Sequence, residues 1–196
     1  MASINYAQRE ITCKIVYYGC AMSGKTTNLE YIHEHVPAAD KGGLVSLSTQ
    51  GDRTLFFDFL PLEVHDVGGF TAKFQLYTVP GQVVYNATRR LVLRGVDGLV
   101  FVADSQWSRI KESVESFQNM LDNLGQYGYN LDTIPYVLQY NKRDLADTAP
   151  RHYLDFTLNR RVRRVPVFET VAPSGVGVFD SLNAMCRLVL ARLRAA

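Results

Sequence analysis

The chain has 196 residues, of which 47% are hydrophobic, and its formal net charge at pH 7 is +2. This length and composition predict a single domain over residues 1–196 that buries a substantial core. A nearly balanced charge argues against nucleic-acid binding, and the apolar runs are far shorter than the roughly 20 residues that span a bilayer. The sequence carries no signal peptide or lipidation motif, so we expect a cytoplasmic protein with no intrinsic membrane anchor.

The first predicted elements are a strand and a helix with a glycine-rich loop between them. The strand covers residues 10–18, where alternating apolar residues give way to a fully apolar end, as in a central strand. The helix follows Gly24 and ends near Val36, because Pro37 cannot continue it. The loop therefore leads from a buried strand into a helix N-terminus.

This loop carries the pattern G-x-x-x-x-G-K-T over residues 19–26. The pattern indicates a phosphate-binding loop only where it follows a strand and opens a helix, and both conditions hold here. Unpaired backbone N–H groups and the helix dipole favour phosphate oxygens, Lys25 adds charge toward the β- and γ-phosphates, and the Thr26 hydroxyl can ligate Mg²⁺. The sequence therefore predicts a nucleoside polyphosphate bound with magnesium. The predicted contacts are Gly19, Ala21, Met22, Ser23, Gly24, Lys25, Thr26 and Thr27.

The rest of the chain alternates short apolar strands with helix-length segments. The predicted strands lie at 44–47, 55–60, 70–79, 98–103, 136–140 and 165–171. The short turn at Gly68-Gly69 predicts an antiparallel hairpin, and the last three strands are predicted to be buried and parallel. Apolar stripes predict helices over 110–124 and 179–189. The predicted fold class is α/β, a doubly wound and mostly parallel sheet with one antiparallel edge strand, which binds ligands at the carboxyl ends of its strands.

A second motif, Asn141-Lys142-Arg143-Asp144, follows directly on the strand that ends at Tyr140. It therefore lies at the same edge of the sheet as the phosphate loop. A carboxylate at Asp144 can accept hydrogen bonds from N1–H and the 2-amino group of guanine, whereas adenine would leave it unpaired. Lys142 can cover the face of the base, and Asn141 can tie this loop to the phosphate loop. The pair of motifs predicts a preference for guanine nucleotides.

The phosphate loop, the N-K-R-D sequence and Pro80-Gly81-Gln82 together resemble a Ras-like small GTPase, the P-loop G domain. Longer strings at 11–19, 53–61, 77–82 and 93–98 resemble the bacterial MglA-type GTPases, which set cell polarity in gliding and pilus-driven motility. This resemblance covers nearly the whole chain.

The resemblance implies roles for residues of two switch segments. Thr54 matches the threonine that senses the γ-phosphate through Mg²⁺, so Thr26 and Thr54 are the implied metal ligands. Gln82 matches the glutamine that orients the attacking water, and Gly81 beside it is an implied nucleotide contact. Arg53 matches an arginine that acts in cis on the transferring phosphoryl group, a contribution of roughly 10³ to 10⁵ in rate. The alternative for Arg53 is a solvated loop arginine.

Three other positions belong to weaker parts of the pattern. Thr78 stands where most Ras-like proteins have an aspartate that holds a magnesium-bound water, and this threonine is a trait of the MglA type. Asp58 is a lone acid in an apolar strand that either supplies the missing carboxylate or faces outward. Ala172 matches the loop after the last strand, where a backbone N–H meets the guanine oxygen. Thr78 and Ala172 are therefore further implied nucleotide contacts.

The phosphate loop departs from the family pattern at Cys20, Ala21 and Met22, which replace proline, glycine and leucine. The Ala21 methyl group would lie beside the γ-phosphate, where it can obstruct the glutamine or the arginine. If one misplaced group costs about 3 kcal/mol, hydrolysis slows by roughly two orders of magnitude while binding survives. Cys20 is either a reactive thiol favoured by the loop amides or an inert loop residue.

These features predict a GTP/GDP switch that uses Mg²⁺ and hydrolyses GTP slowly without an activating partner. The resemblance implies a homodimeric roadblock-fold activator, polarity or motility effectors, and recruitment to a cell pole through such partners. Two alternatives stay open: a hydrolysis-impaired GTP-binding scaffold, favoured by Ala21, and a P-loop nucleotide kinase or ATPase, disfavoured by the N-K-R-D motif. A basic cluster at Arg160, Arg161, Arg163 and Arg164 either meets an acidic or phospholipid partner or is a solvated loop.

Overall fold

A computed structural model of the chain describes residues 2–48, 56–160 and 164–195. The strands in these ranges are β1 Ser3–Asn5, β2 Glu10–Tyr18, β3 Val45–Ser48, β4 Phe56–Val64, β5 Thr71–Thr78, β6 Gly98–Asp104, β7 Tyr136–Asn141 and β8 Val167–Glu169. The α-helices are α1 Lys25–His35, α2 Asn86–Leu93, α3 Ile110–Gly125, α4 Arg151–Leu158 and α5 Val178–Ala195. Within the described ranges, none of the helices combines the length and the apolar character needed to cross a bilayer.

The strands form one sheet in the order β3-β4-β5-β2-β6-β7-β8, with β1 paired to β2. Strands β5, β2, β6, β7 and β8 are parallel, which confirms the predicted doubly wound sheet, and β4 pairs antiparallel with β5 as the predicted hairpin. The sheet has more antiparallel pairing than the single edge strand predicted, because β3 also pairs antiparallel with β4 and β1 with β2. Both pairs are joined by links too short for a parallel crossover.

The last strand is shorter than the sequence predicted. Only Val167–Glu169 pairs with β7, and its residues are partly exposed. This strand lies at the edge of the sheet, and Pro166 before it has no backbone N–H to extend the ladder.

Two hydrophobic layers cover the sheet. Residues of β2 alternate between them: Val16 and Tyr18 pack with α2, α3 and α4, whereas Ile15 and Tyr17 pack with α1 and α5. Helix α5 approaches β6 closely, because a Cβ on Gly98 would lie 2.6 Å from Val189 Cγ2. Because β5, β2, β6, β7 and β8 run parallel, their carboxyl ends meet at one edge of the sheet.

Candidate nucleotide-binding site

The loop between β2 and α1 lies at this edge and has a backbone that requires glycine at two positions. Gly19 has φ +154°, and a Cβ there would lie 2.2 Å from the Val102 carbonyl oxygen. Gly24 has φ +101°, and a Cβ there would lie 2.2 Å from Asn141 Nδ2. Met22 also has a positive φ of 61°, a conformation that costs a non-glycine residue on the order of 1 kcal/mol. The loop is therefore held in the kind of strained turn that presents backbone N–H groups to an anion.

Buried polar groups of this loop fit a phosphate. Ser23 is fully buried, and its Oγ has no hydrogen-bond partner within the described part of the chain. Lys25 is 6% exposed, and its Nζ donates to the carbonyl oxygens of Gly19 at 3.2 Å and Cys20 at 2.6 Å. Desolvation by burial lowers the pKa of the Lys25 ammonium to about 8. An anionic phosphate at this position would stabilise the charged form of Lys25 and give the Ser23 hydroxyl a partner.

The carboxylate of Asp58, on β4, lies at the start of α1, next to the phosphate loop. Its carboxylate accepts hydrogen bonds from Thr26 Oγ1 at 2.6 Å, Thr78 Oγ1 at 2.8 Å and Ser46 Oγ at 2.8 Å. The Asp58 residue is 9% exposed, so the outward-facing alternative is wrong. Thr78 also accepts the Asp58 backbone N–H at 2.8 Å. The structure thus brings one carboxylate and two predicted site hydroxyls together beside the start of α1.

Asn141 links its own loop to the phosphate loop, as the sequence predicted, and also to the segment after β8. It is 1% exposed, and its Nδ2 donates to the Ser23 carbonyl oxygen at 2.8 Å. Its Oδ1 accepts hydrogen bonds from Thr170 Oγ1 and from the Ala172 backbone N–H, both at 3.0 Å. The Ala172 N–H is therefore engaged with Asn141, and its contact with a guanine oxygen stays a prediction.

The remaining members of the base motif differ in their surroundings. Lys142, with φ +66°, donates from Nζ to the Asp104 carboxylate at 2.6 Å. Asp104 is fully buried at the end of β6, so this ion pair fixes the Lys142 side chain at the carboxyl edge of the sheet. Asp144 is exposed to solvent, where its carboxylate is accessible to a base.

The segment after β5 packs directly on the phosphate loop. A Cβ on Gly81 would lie 2.2 Å from Ala21 Cα and 2.5 Å from Ala21 N, so the two backbones are in contact. Gln82 is exposed, and the chain then enters α2. The predicted residues Arg53 and Thr54 lie outside the described residues. The structure therefore places Gly81, the neighbour of Gln82, against Ala21 and does not test the role of Arg53.

Several residues support the site that sequence reasoning missed. Asp104 orients Lys142, Thr170 orients Asn141, and Arg109 Nη2 donates to the Ala21 carbonyl oxygen at 3.0 Å. Asp104 could have been found from the sequence, because an acidic residue that ends a fully apolar strand lies at the ligand-binding edge of the sheet. Arg109 could not, since it lies 88 residues from Ala21 in sequence.

Two other sequence predictions have partial outcomes. Cys20 is 3% exposed, with Sγ 3.6 Å from Ser113 Oγ, which favours the inert alternative over a reactive thiol. In the basic cluster, Arg160 and Arg164 are exposed, and the Arg160 guanidinium stacks over the Phe156 ring. Residues 161–163 of that cluster lie outside the described residues, so both alternatives for the cluster stay open.

Comparison with known proteins agrees with this geometry. Residues 14–168 match the Gtr1/RagA G protein conserved region. The chain is also 55% identical over 194 residues to the mutual gliding-motility protein MglA of Myxococcus xanthus (strain DK1622), which covers 99% of this chain and 98% of that protein. The chain belongs to the MglA-type small GTPases. As a member of this G-protein family it binds guanine nucleotides, and the sequence-based family assignment is confirmed.

In this MglA-type GTPase, two loops at the carboxyl edge of the sheet offer different chemistry to a nucleotide. The loop at residues 19–26 suits the phosphates, and the loop at residues 141–144 suits the base. The Asn141 side chain joins these two loops directly. The site is therefore one connected structure at the carboxyl edge of the sheet.

Proposed function

We propose that this protein is a GTP/GDP molecular switch of one domain over residues 1–196 that controls cell polarity or motility. The observation that carries the proposal is the hydrogen bond from Asn141 Nδ2 to the Ser23 carbonyl oxygen, which unites a phosphate loop with a guanine-selecting loop. In the switch, bound GTP orders the segments near 53–54 and 80–85, and hydrolysis releases them. The similarity to a protein named for gliding motility supports the cellular role.

Each nucleotide contact has a proposed task. Backbone N–H groups over Gly19–Lys25 and the Lys25 ammonium bind the phosphates, and Asp144 selects guanine through N1–H and the 2-amino group. Lys142, held by Asp104, covers the base. The full proposed set of nucleotide contacts is Gly19, Ala21, Met22, Ser23, Gly24, Lys25, Thr26, Thr27, Thr54, Thr78, Gly81, Asn141, Lys142, Asp144 and Ala172.

The oxygen-rich group beside α1 fits Mg²⁺, which prefers carboxylate and hydroxyl oxygens and retains several waters. Thr26 and Thr54 are the proposed direct ligands, and Asp58 supplies the negative charge that Thr78 lacks. The 2.6 Å contact between Asp58 and Thr26 supports this assignment, because it places that charge at the ligand hydroxyl. When bound, the ion neutralises charge on the β- and γ-phosphates.

For hydrolysis, Gln82 is proposed to orient the attacking water and Arg53 to stabilise charge on the transferring phosphoryl group. Gln82 is exposed in the described structure, where a partner or bound GTP can reach it and set its orientation. The contact of Gly81 with Ala21 occupies the space next to the loop residue that carries the extra methyl group. Both features support slow turnover by the isolated protein and acceleration by a homodimeric roadblock-fold activator.

The proposal extends to location and partners. The protein is proposed to work in the cytoplasm and to reach a cell pole through polarity or motility effectors. The second candidate function is a GTP-binding scaffold with impaired hydrolysis, favoured by the Ala21 methyl group beside Gly81.

Single-turnover hydrolysis of GTP by the purified chain tests the proposal. The assay is run at saturating Mg²⁺ with and without a roadblock-fold homodimer, and ATP is the control nucleotide. We expect acceleration with GTP and none with ATP. Arg53→Ala and Gln82→Ala should each remove most of the acceleration, whereas Arg192→Ala, a change at an exposed arginine in the last turn of α5, should not. Tight GTP binding without any acceleration would favour the scaffold, and turnover of ATP would favour a kinase or ATPase.

A further inference from the structure

Arg109, at the start of α3, contacts the phosphate loop. It directly precedes α3 and donates from Nη2 to the Ala21 carbonyl oxygen at 3.0 Å. Its Nη1 bonds Glu112 Oε1 at 2.8 Å, so the guanidinium is held at two points. The side chain is 30% exposed, which keeps much of it out of water.

The position of Arg109 is not explained by the stability of α3. A cation at a helix N-terminus faces the positive end of the helix dipole, which disfavours the charge there. Glu112 in the first turn offsets this cost. The helix dipole thus gives no reason for an arginine here, whereas the hydrogen bond to the Ala21 carbonyl oxygen does.

The Ala21 carbonyl is one end of the peptide group that joins Ala21 to Met22. In a trans peptide the C=O and the N–H of the next residue point in opposite directions. A charged donor on the Ala21 oxygen thus fixes the direction of the Met22 N–H and polarises it, since hydrogen bonds strengthen one another along a chain of groups. Met22 has φ +61°, which is the left-handed geometry of anion-binding backbone turns.

We infer that Arg109 is a positioning residue for the terminal phosphate of GTP, acting through the Ala21–Met22 peptide. This inference rests on the proposed function, in which Ala21 lies beside the γ-phosphate. Arg109 orients and strengthens the Met22 N–H as a donor on the side of the loop where GTP and GDP differ. Lys25 holds the carbonyl oxygens of Gly19 and Cys20, so Arg109 extends the same arrangement by one residue.

The test compares Arg109→Met, which keeps volume but has no donor, with Arg109→Lys, which keeps charge and one donor. Lys111→Met is the matched control, because Lys111 lies on α3 with a side chain that is 85% exposed and pairs with Glu115. Dissociation rates of fluorescent GDP and of a fluorescent non-hydrolysable GTP analogue are measured by stopped flow. Single-turnover hydrolysis and the thermal midpoint are measured on the same samples.

For Arg109→Met we expect the GTP analogue to dissociate roughly fivefold faster, as for loss of about one hydrogen bond. GDP dissociation should change by less than twofold, and the hydrolysis rate should fall about tenfold, less than for a donor removed outright. Arg109→Lys should recover part of each change, and Lys111→Met should match the unmodified protein. For Arg109→Met the thermal midpoint should fall by about 2 to 4 °C at most, as for the loss of one hydrogen bond.

Two results would overturn the inference. If GDP and the GTP analogue are released faster by the same factor, Arg109 stabilises the loop in general and has no specific effect on the terminal phosphate. If neither release rate changes, Arg109 has no role in nucleotide binding. If the unmodified protein fails to hydrolyse GTP even with the activator, the proposed hydrolysis fails, yet the ratio of the two dissociation rates still decides the role of Arg109.

Discussion

Replacing Asn141 by alanine should loosen the nucleotide site and destabilise the fold together. The Asn141 side chain makes three hydrogen bonds, to Ser23, Thr170 and Ala172, at 2.8, 3.0 and 3.0 Å. All three hydrogen bonds are buried, so water cannot take the place of the Asn141 side chain unless the surrounding structure rearranges.

The magnitude follows from these bonds. At about 1 kcal/mol for each net hydrogen bond, Asn141→Ala should lower the free energy of unfolding by about 3 kcal/mol. For a protein of this size that corresponds to a fall in the thermal midpoint of about 6 to 12 °C. Loss of the hydrogen bond to Ser23 lets the phosphate loop move relative to the base loop. If this weakens GDP binding by about 1.4 kcal/mol, GDP dissociates about tenfold faster.

Thr170→Val is the matched control, because it keeps the shape of the side chain and removes only the donor to Asn141. We expect a loss of about 1 kcal/mol, a fall of about 2 to 4 °C and a smaller change in GDP release. The assay is displacement of fluorescent GDP, with thermal unfolding by circular dichroism. If Asn141→Ala lowers the midpoint but leaves GDP release within twofold of the unmodified protein, Asn141 serves packing alone and the linking role is refuted.

Three further substitutions test neighbouring contacts. Asp58→Asn removes the charge and should raise the Mg²⁺ concentration needed to slow GDP release by roughly tenfold; an unchanged Mg²⁺ titration would exclude Asp58 from the metal site. Gly81→Ala places a Cβ 2.2 Å from Ala21 Cα, a backbone clash that rotamers cannot relieve, so amide hydrogen exchange over residues 80–85 should become about tenfold faster; unchanged exchange would mean that the contact is not populated in solution. Asp104→Asn weakens a charged hydrogen bond to Lys142 and should lower GDP and GTP affinity equally by about tenfold in calorimetry; an effect on GTP alone would place Lys142 at the phosphates instead.

Local patterns were sufficient for much of the fold. The strand Glu10–Tyr18 matches its predicted bounds, and α1 follows Gly24 as predicted, because period-2 hydrophobicity and a proline stop act over a few residues. The edge of the sheet was less predictable. Strand β8 covers only Val167–Glu169 instead of the predicted 165–171. The apolar character of a segment does not reveal how many of its residues pair with a neighbouring strand.

The sequence by itself determined the phosphate loop, the base motif and the family, because each depends on residues at short, fixed spacings along the chain. The tertiary structure decided how these parts touch. Asp58 meets Thr26 across 32 residues and Arg109 meets Ala21 across 88. Such contacts depend on strand order and on which face each side chain occupies, and a shift of one residue in register would reverse that face. For this reason the charge beside the proposed magnesium site and the arginine on the phosphate loop became visible only in the folded chain.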